Sequence, residues 1–202
     1  MLVRAGAAGR VLVYFHGHDA KIETAGRTLV PLWARSYEWT IVAPQLGPLS
    51  EPGDLSKSGG LKTMLAELGL LSGSPVVDTL AHSGGFKALA PAINSGGLPI
   101  SNVGLLDALY GEGDTFFRFS TAAPSRHFAN IFGPSTSDQS LALAKRLAAA
   151  LPPGEAVLAL DEMPLKDWRA ALSHKAATIR SRVAHQNVPA AYGGIVLEAF
   201  VR

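Results

Sequence analysis

Two rhythms of apolar and polar residues alternate along this chain. Nearly uninterrupted apolar runs such as Val11-Leu12-Val13-Tyr14-Phe15 and Val103-Gly104-Leu105-Leu106 have the character of strands buried on both faces. Between such runs the period lengthens. Leu61, Met64, Leu65 and Leu68 fall at i, i+3, i+4 and i+7, which gathers them on one face of a helix packed on a sheet, and the Ala/Leu-rich segment from Leu141 to Leu151 is similar. This alternation predicts an α/β fold: a three-layer sandwich whose mostly parallel sheet of about six strands carries helices on both faces. Strands are expected at about 10–15, 39–43, 75–81, 102–107, 127–132 and 155–160, with a further helix over Trp168 to Val183. Gly59-Gly60, Gly96-Gly97 and Pro152-Pro153-Gly154 punctuate the connections. With no internal repeat or linker, residues 1–202 are expected to form a single domain.

Composition narrows the function classes. A chain of 202 residues with 48% hydrophobic and 17% charged residues can build a full-sized core. The 18 basic and 16 acidic residues are dispersed, without the dense Lys/Arg cluster that nucleic acid would require. The absence of cysteine excludes thiol catalysis, disulfides and cysteine-ligated zinc. Residues 1–10 are too short and broken for a signal peptide, and no apolar stretch approaches the roughly 20 residues of a membrane-spanning helix. A cytoplasmic protein without a membrane span is expected, and the oligomeric state stays open.

Candidate chemistry begins where the run Val76 to Ala81 breaks at Ser83 and restarts as a helix. A serine placed in a tight strand-to-helix turn needs small neighbours, and Ala81-His82-Ser83-Gly84-Gly85 matches the G-x-S-x-G nucleophile elbow with one alanine substitution. The helix starting near Gly84 offers free backbone N–H groups to a developing oxyanion. A second feature is the strand Val11–Phe15 ending in His16-Gly17-His18, where a loop glycine lets a further backbone N–H approach the same oxyanion. The long loop from Pro44 to Gly60, with four Gly, three Pro and three Ser, is placed to wall the pocket. Its Ser58-Gly59-Gly60-Leu61-Lys62-Thr63 lacks the spacing of a phosphate loop. The cluster His16, His18 and Asp19 lacks the ligand spacing of a metal site, so no metal and no cofactor are expected. The single Gly17 after the first strand also argues against a dinucleotide-binding turn.

With these residues in view, the chain resembles the α/β-hydrolase family, His16-Gly17 looking like its oxyanion-loop motif and Ala81–Gly85 like its nucleophile elbow. The elbow followed by Phe86 and by Leu106-Asp107-Ala108-Leu109-Tyr110-Gly111 is similar to a bacterial branch of serine hydrolases. The resemblance implies a compact member that begins at the third strand of that fold, with a minimal or absent cap. It also implies the chain order serine, acid, histidine. Asp107, at the tip of an apolar strand, is the first choice of acid because a strand holds it rigidly, and Asp138, which also suits a helix N-cap, is the alternative. His185, just past the last helical pattern, is preferred as the base over His174, which falls within that pattern. His82 is expected to pack beneath the elbow, since neighbouring side chains on a strand point to opposite faces.

The resulting expectation is a serine hydrolase that cleaves a carboxylic ester or related acyl bond of a small-molecule substrate. Ser83, His185 and Asp107 form its triad, and His16, Gly17, His18 and Gly84 surround the oxyanion and substrate. Amidase or peptidase action, or a non-catalytic binding role, are the alternatives. Tyr110, Phe116, Phe117 and Phe119 suit either an acyl wall or the core.

Overall fold

A computed structural model describes residues 1–6, 9–18, 38–160 and 164–201. Eight strands form one sheet: β1 (Leu2–Arg4), β2 (Arg10–Phe15), β3 (Thr40–Ala43), β4 (Val76–His82), β5 (Asn102–Leu106), β6 (His127–Phe132), β7 (Ala156–Ala159) and β8 (Ala176–Arg180). Their order is β1-β3-β2-β4-β5-β6-β8-β7, and every pairing is parallel except that of β1 with β3. Six helices of the described residues connect or flank them: α1 (Gly60–Glu67), α2 (Phe86–Ser95), α3 (Gly113–Ala122), α4 (Ser137–Ala150), α5 (Leu165–Leu172) and α6 (Val188–Phe200).

Strand alternation divides the core in two. Val11, Val13 and Phe15 of β2 and Val103 and Leu105 of β5 face a layer made by α1, α2, α3 and α4, which contribute Leu61, Leu89, Phe116 and Leu147 among others. The intervening Leu12 and Tyr14, with Leu80, Leu106 and Ile131, face α5 and α6 through Trp168, Leu172, Val196 and Phe200. This double covering explains why these strands read as continuous apolar runs. At the amino end of β4 the fully buried Asp78 carboxylate is satisfied by Arg10 at 2.7 Å, the Trp39 indole N–H at 2.7 Å and the Asn102 amide at 2.6 Å. It ties together β2, β4, β5 and the entrance to β3.

The expected three-layer α/β sandwich is present, with two strands beyond those read from the sequence. One is β1, a short antiparallel edge strand that precedes the expected starting point of the fold. The other corrects the helix expected over Trp168 to Val183. The helix stops at Leu172, a turn through Ser173 and His174 follows, and Ala176–Arg180 becomes β8 between β6 and β7. Ala176-Ala177-Thr178-Ile179 is buried from both sides, and a short run of that kind carries no period that separates strand from helix. Among the described residues, no helix is long and apolar enough to cross a membrane.

Candidate active site

β4 ends at His82, and the next residue, Ser83, has a φ of +52°, a left-handed conformation that is rare outside glycine. Ser83–Gly85 form a single 3₁₀ turn before α2 begins at Phe86. The sharp reversal is possible because three segments can touch without side chains between them. A Cβ at Gly85 would lie 2.2 Å from the Phe15 carbonyl oxygen, and one at Gly17 would lie 2.8 Å from Ser83 Cβ and 3.3 Å from Ser83 Oγ. At Gly84 it would strike the His18 ring and come within 2.7 Å of Ser50 Oγ. The loop after β2, the loop after β3 and the elbow are thus in mutual contact around residue 83.

Asp107 follows β5 directly and is also left-handed, with a φ of +51°. Its buried carboxylate is saturated with donors. Oδ1 accepts from the Gly133 N–H at 2.8 Å and from the Thr136 hydroxyl, while Oδ2 accepts from His185 Nδ1–H at 2.7 Å. Such a set offsets the cost of burying the group. Gly133 is required there, since a Cβ would lie 2.6 Å from Asp107 Oδ2. His185 begins a short 3₁₀ turn leading into α6, and its side chain is 37% exposed. With Nδ1 committed to Asp107, Nε2 is the ring nitrogen left for chemistry.

The two alternatives stand elsewhere. Asp138 lies exposed in the first turn of α4, and the carboxylate bonded to His185 is that of Asp107. His174 sits in the turn before β8, at the opposite end of the parallel sheet from Ser83, with Nδ1 2.6 Å from the Gly154 carbonyl oxygen.

The remaining histidines sort by environment. His16 is buried, and its Nε2 accepts the Leu46 N–H at 3.0 Å, so Nδ1 carries the proton and donates to the Gly17 carbonyl at 2.8 Å. Burial holds this ring below the ordinary histidine pKa. It braces the Gly17 loop against the chain after β3. His18 is exposed, with its ring against Gly84. Asp19, the third member of that cluster, lies outside the described residues.

His82 does not pack beneath the elbow as expected. It lies on the face covered by the lead-in to α6, its ring centroid 4.7 Å from that of His185, and Nε2–H donates to the His185 carbonyl at 3.1 Å. Burial, reinforced by the neighbouring His185 charge, pushes its pKa down to about 4. Which segment would cover this side chain was not legible from sequence.

Of the four aromatic residues after Asp107, Phe116 and Phe119 are core, and Phe117 lies under the Arg146 guanidinium. Tyr110 alone stands at the site, edge-on to His185 with centroids 6.2 Å apart. Burial and the Asp107 charge raise its pKa. The loop from Pro44 to Gly60 serves two surfaces. Ser50 meets Gly84, whereas Gln45, Glu51, Lys57, Met64 and Glu67 border a cavity of about 520 Å³ that none of Ser83, Asp107 or His185 lines. Leu49 and Ser50 are consecutive left-handed residues in this loop.

No family model and no curated protein matches the chain. Solved structures do share its fold. MenH from S. aureus superposes over 98% of this chain and 97% of its own, at 11% identity and a TM-score of 0.59. A probable hydrolytic enzyme from Pseudomonas aeruginosa covers 96% of this chain and 86% of its own, at 12% identity and a TM-score of 0.51. An uncharacterized protein from Bacillus cereus matches over 97% of this chain at 9% identity and a TM-score of 0.62, and the chain spans 62% of that protein's length. At such identities the likeness is one of architecture, and the architecture is α/β-hydrolase-like.

Proposed function

We propose that this chain is a serine hydrolase that cleaves a carboxylic ester or related acyl bond through an acyl-enzyme intermediate. The observation that carries the reading is the 2.7 Å hydrogen bond from His185 to Asp107 at the same end of the sheet as the left-handed Ser83. In this reading Ser83 Oγ attacks the carbonyl carbon while His185 Nε2 takes its proton. Asp107 keeps the proton on Nδ1 and supports the imidazolium. Backbone N–H groups of Gly84 and of Gly17 or its neighbour receive the oxyanion, each donor contributing about 3–4 kcal/mol to the transition state. The leaving alcohol collects the proton from His185, and water repeats the sequence in reverse to release the acid.

Substrate class follows from what surrounds the serine. His18, Tyr110 and Ser50 stand close around the elbow, and Phe116 and Phe119 are withdrawn into the core, which favours small or short acyl groups in an open site. Labelling with a fluorophosphonate probe tests the assignment directly, because an activated serine reacts and an idle one does not. The purified protein should label at one site, and Ser83→Ala should abolish both labelling and hydrolysis of a short-chain nitrophenyl ester while retaining the fold. A wild-type chain that resists the probe is a non-catalytic hydrolase-fold protein.

A further inference from the structure

We infer that His82 is a positioning residue that fixes His185 through its backbone, an inference that rests on the reading of Ser83 and His185 above. β4 and β5 run side by side with His82 opposite Leu106, so His82 and Asp107 emerge from neighbouring strand ends. Each strand end grips a different part of the same residue. Asp107 holds the His185 ring through Nδ1, and His82 holds its main chain through the carbonyl. A carbonyl can only accept, so Nε2 of His82 carries the proton and the ring has one fixed tautomer.

The grip falls on the turn that carries His185 into α6. After β8, Ser181 N–H bonds to Phe132 O and Val183 N–H to Ser181 Oγ, and the chain then reaches the Ala184–Asn187 turn before α6. His82 therefore ties the segment bearing His185 to the end of β4, one residue before Ser83. With its main chain unpinned, the His185 ring could shift relative to Ser83, and misplacement by about 1 Å can cost on the order of 10²-fold in rate. The groups facing His82 are His185, Asp107 and His16. His82, kept neutral beside them, places no like charge against the imidazolium that forms on His185.

Three substitutions separate a hydrogen-bonding role from packing. His82→Phe keeps a flat ring without the donor, His82→Gln puts an amide nitrogen where Nε2 stood, and His82→Asn is too short to reach the carbonyl. Fluorophosphonate labelling is expected to slow about tenfold or more in the Phe and Asn variants, the loss of one positioning hydrogen bond, and to recover to within about threefold in the Gln variant. Thermal melts verify that each variant is folded. The His185 Nδ1 proton, observed by NMR in ¹⁵N-histidine-labelled protein, should persist in wild type and His82→Gln and broaden or vanish in His82→Phe; this readout does not depend on turnover. The inference is overturned if His82→Phe labels like wild type with that resonance intact, or if Phe is tolerated better than Gln, the order that packing predicts. Labelling that survives Ser83→Ala would instead overturn the proposed function, and the NMR comparison would still decide whether His82 holds His185.

Discussion

Asp107 and His185, 78 positions apart in the chain, meet through a 2.7 Å hydrogen bond in which Nδ1 donates to Oδ2. The other carboxylate oxygen is held by Gly133 and Thr136, so the bond to His185 has a fixed direction. Asp107→Asn keeps an acceptor for Gly133 but can present an amide N–H to the imidazole, which favours the wrong tautomer. The labelling rate should fall by about 10³–10⁴-fold with a small change in melting temperature, whereas Asp138→Asn should change neither. Equal effects of the two substitutions would remove Asp107 from the orienting role.

Gly17 is tested by adding one methyl group. Its Cβ would stand 2.8 Å from Ser83 Cβ, closer than real Cβ contacts, so either the loop after β2 or the elbow must shift. Gly17→Ala should lower the labelling rate by about 10²-fold, the scale on which a small displacement at a reacting centre is felt. A parallel ester assay should show the loss in kcat more than in KM. Unchanged kinetics would show that the loop can yield without disturbing Ser83.

Acid should destabilise the protein through two of its histidines. Burial, with the charge of His185 acting in the same direction, holds His82 at about 4 against an ordinary 6.5, and burial also lowers His16. As pH falls, the unfolded chain therefore takes up these protons first. Their contribution to stability is full above about pH 6.5 and is lost as pH falls toward 4, on the order of 3 kcal/mol for His82. Urea denaturation at pH 7.5 and 4.5 should show a smaller loss in His82→Gln than in wild type. Identical losses would mean that the ring is not kept neutral by the fold.

Asp78 offers a control remote from the chemistry, five residues before Ser83 on β4 and thus about 16 Å away along the strand. Asp78→Ala leaves the Arg10 guanidinium and the Trp39 and Asn102 donors without their acceptor, and should cost about 3–5 kcal/mol. Labelling of the folded fraction should stay at the wild-type rate. A selective loss of labelling without loss of stability would show that this end of the sheet communicates with Ser83.

Residue pattern and neighbour size were enough to place much of this molecule. Runs such as Val11–Phe15 and Val103–Leu106 leave no polar face, and only a strand covered on both sides suits them. The tight strand-to-helix turn at Ser83 was legible for a related reason: small residues at 81, 84 and 85 are where backbones approach, and collisions of a Cβ at Gly84 and Gly85 have that origin. The apolar run of β8 was not legible, because Ala176–Ile179 is too short to display a period, and that error put His174 on a helix.

The chain on its own determined the α/β architecture and the candidates Ser83 and Asp107, since both follow from local order: a strand ends, a small residue or a carboxylate comes next. Tertiary structure alone decided that His185 lies against Asp107, that His82 grips the His185 carbonyl, and that His16 is a brace buried under the loop. Those contacts join residues brought together by the order in which parallel strands pack, and no spacing along the sequence encodes that order.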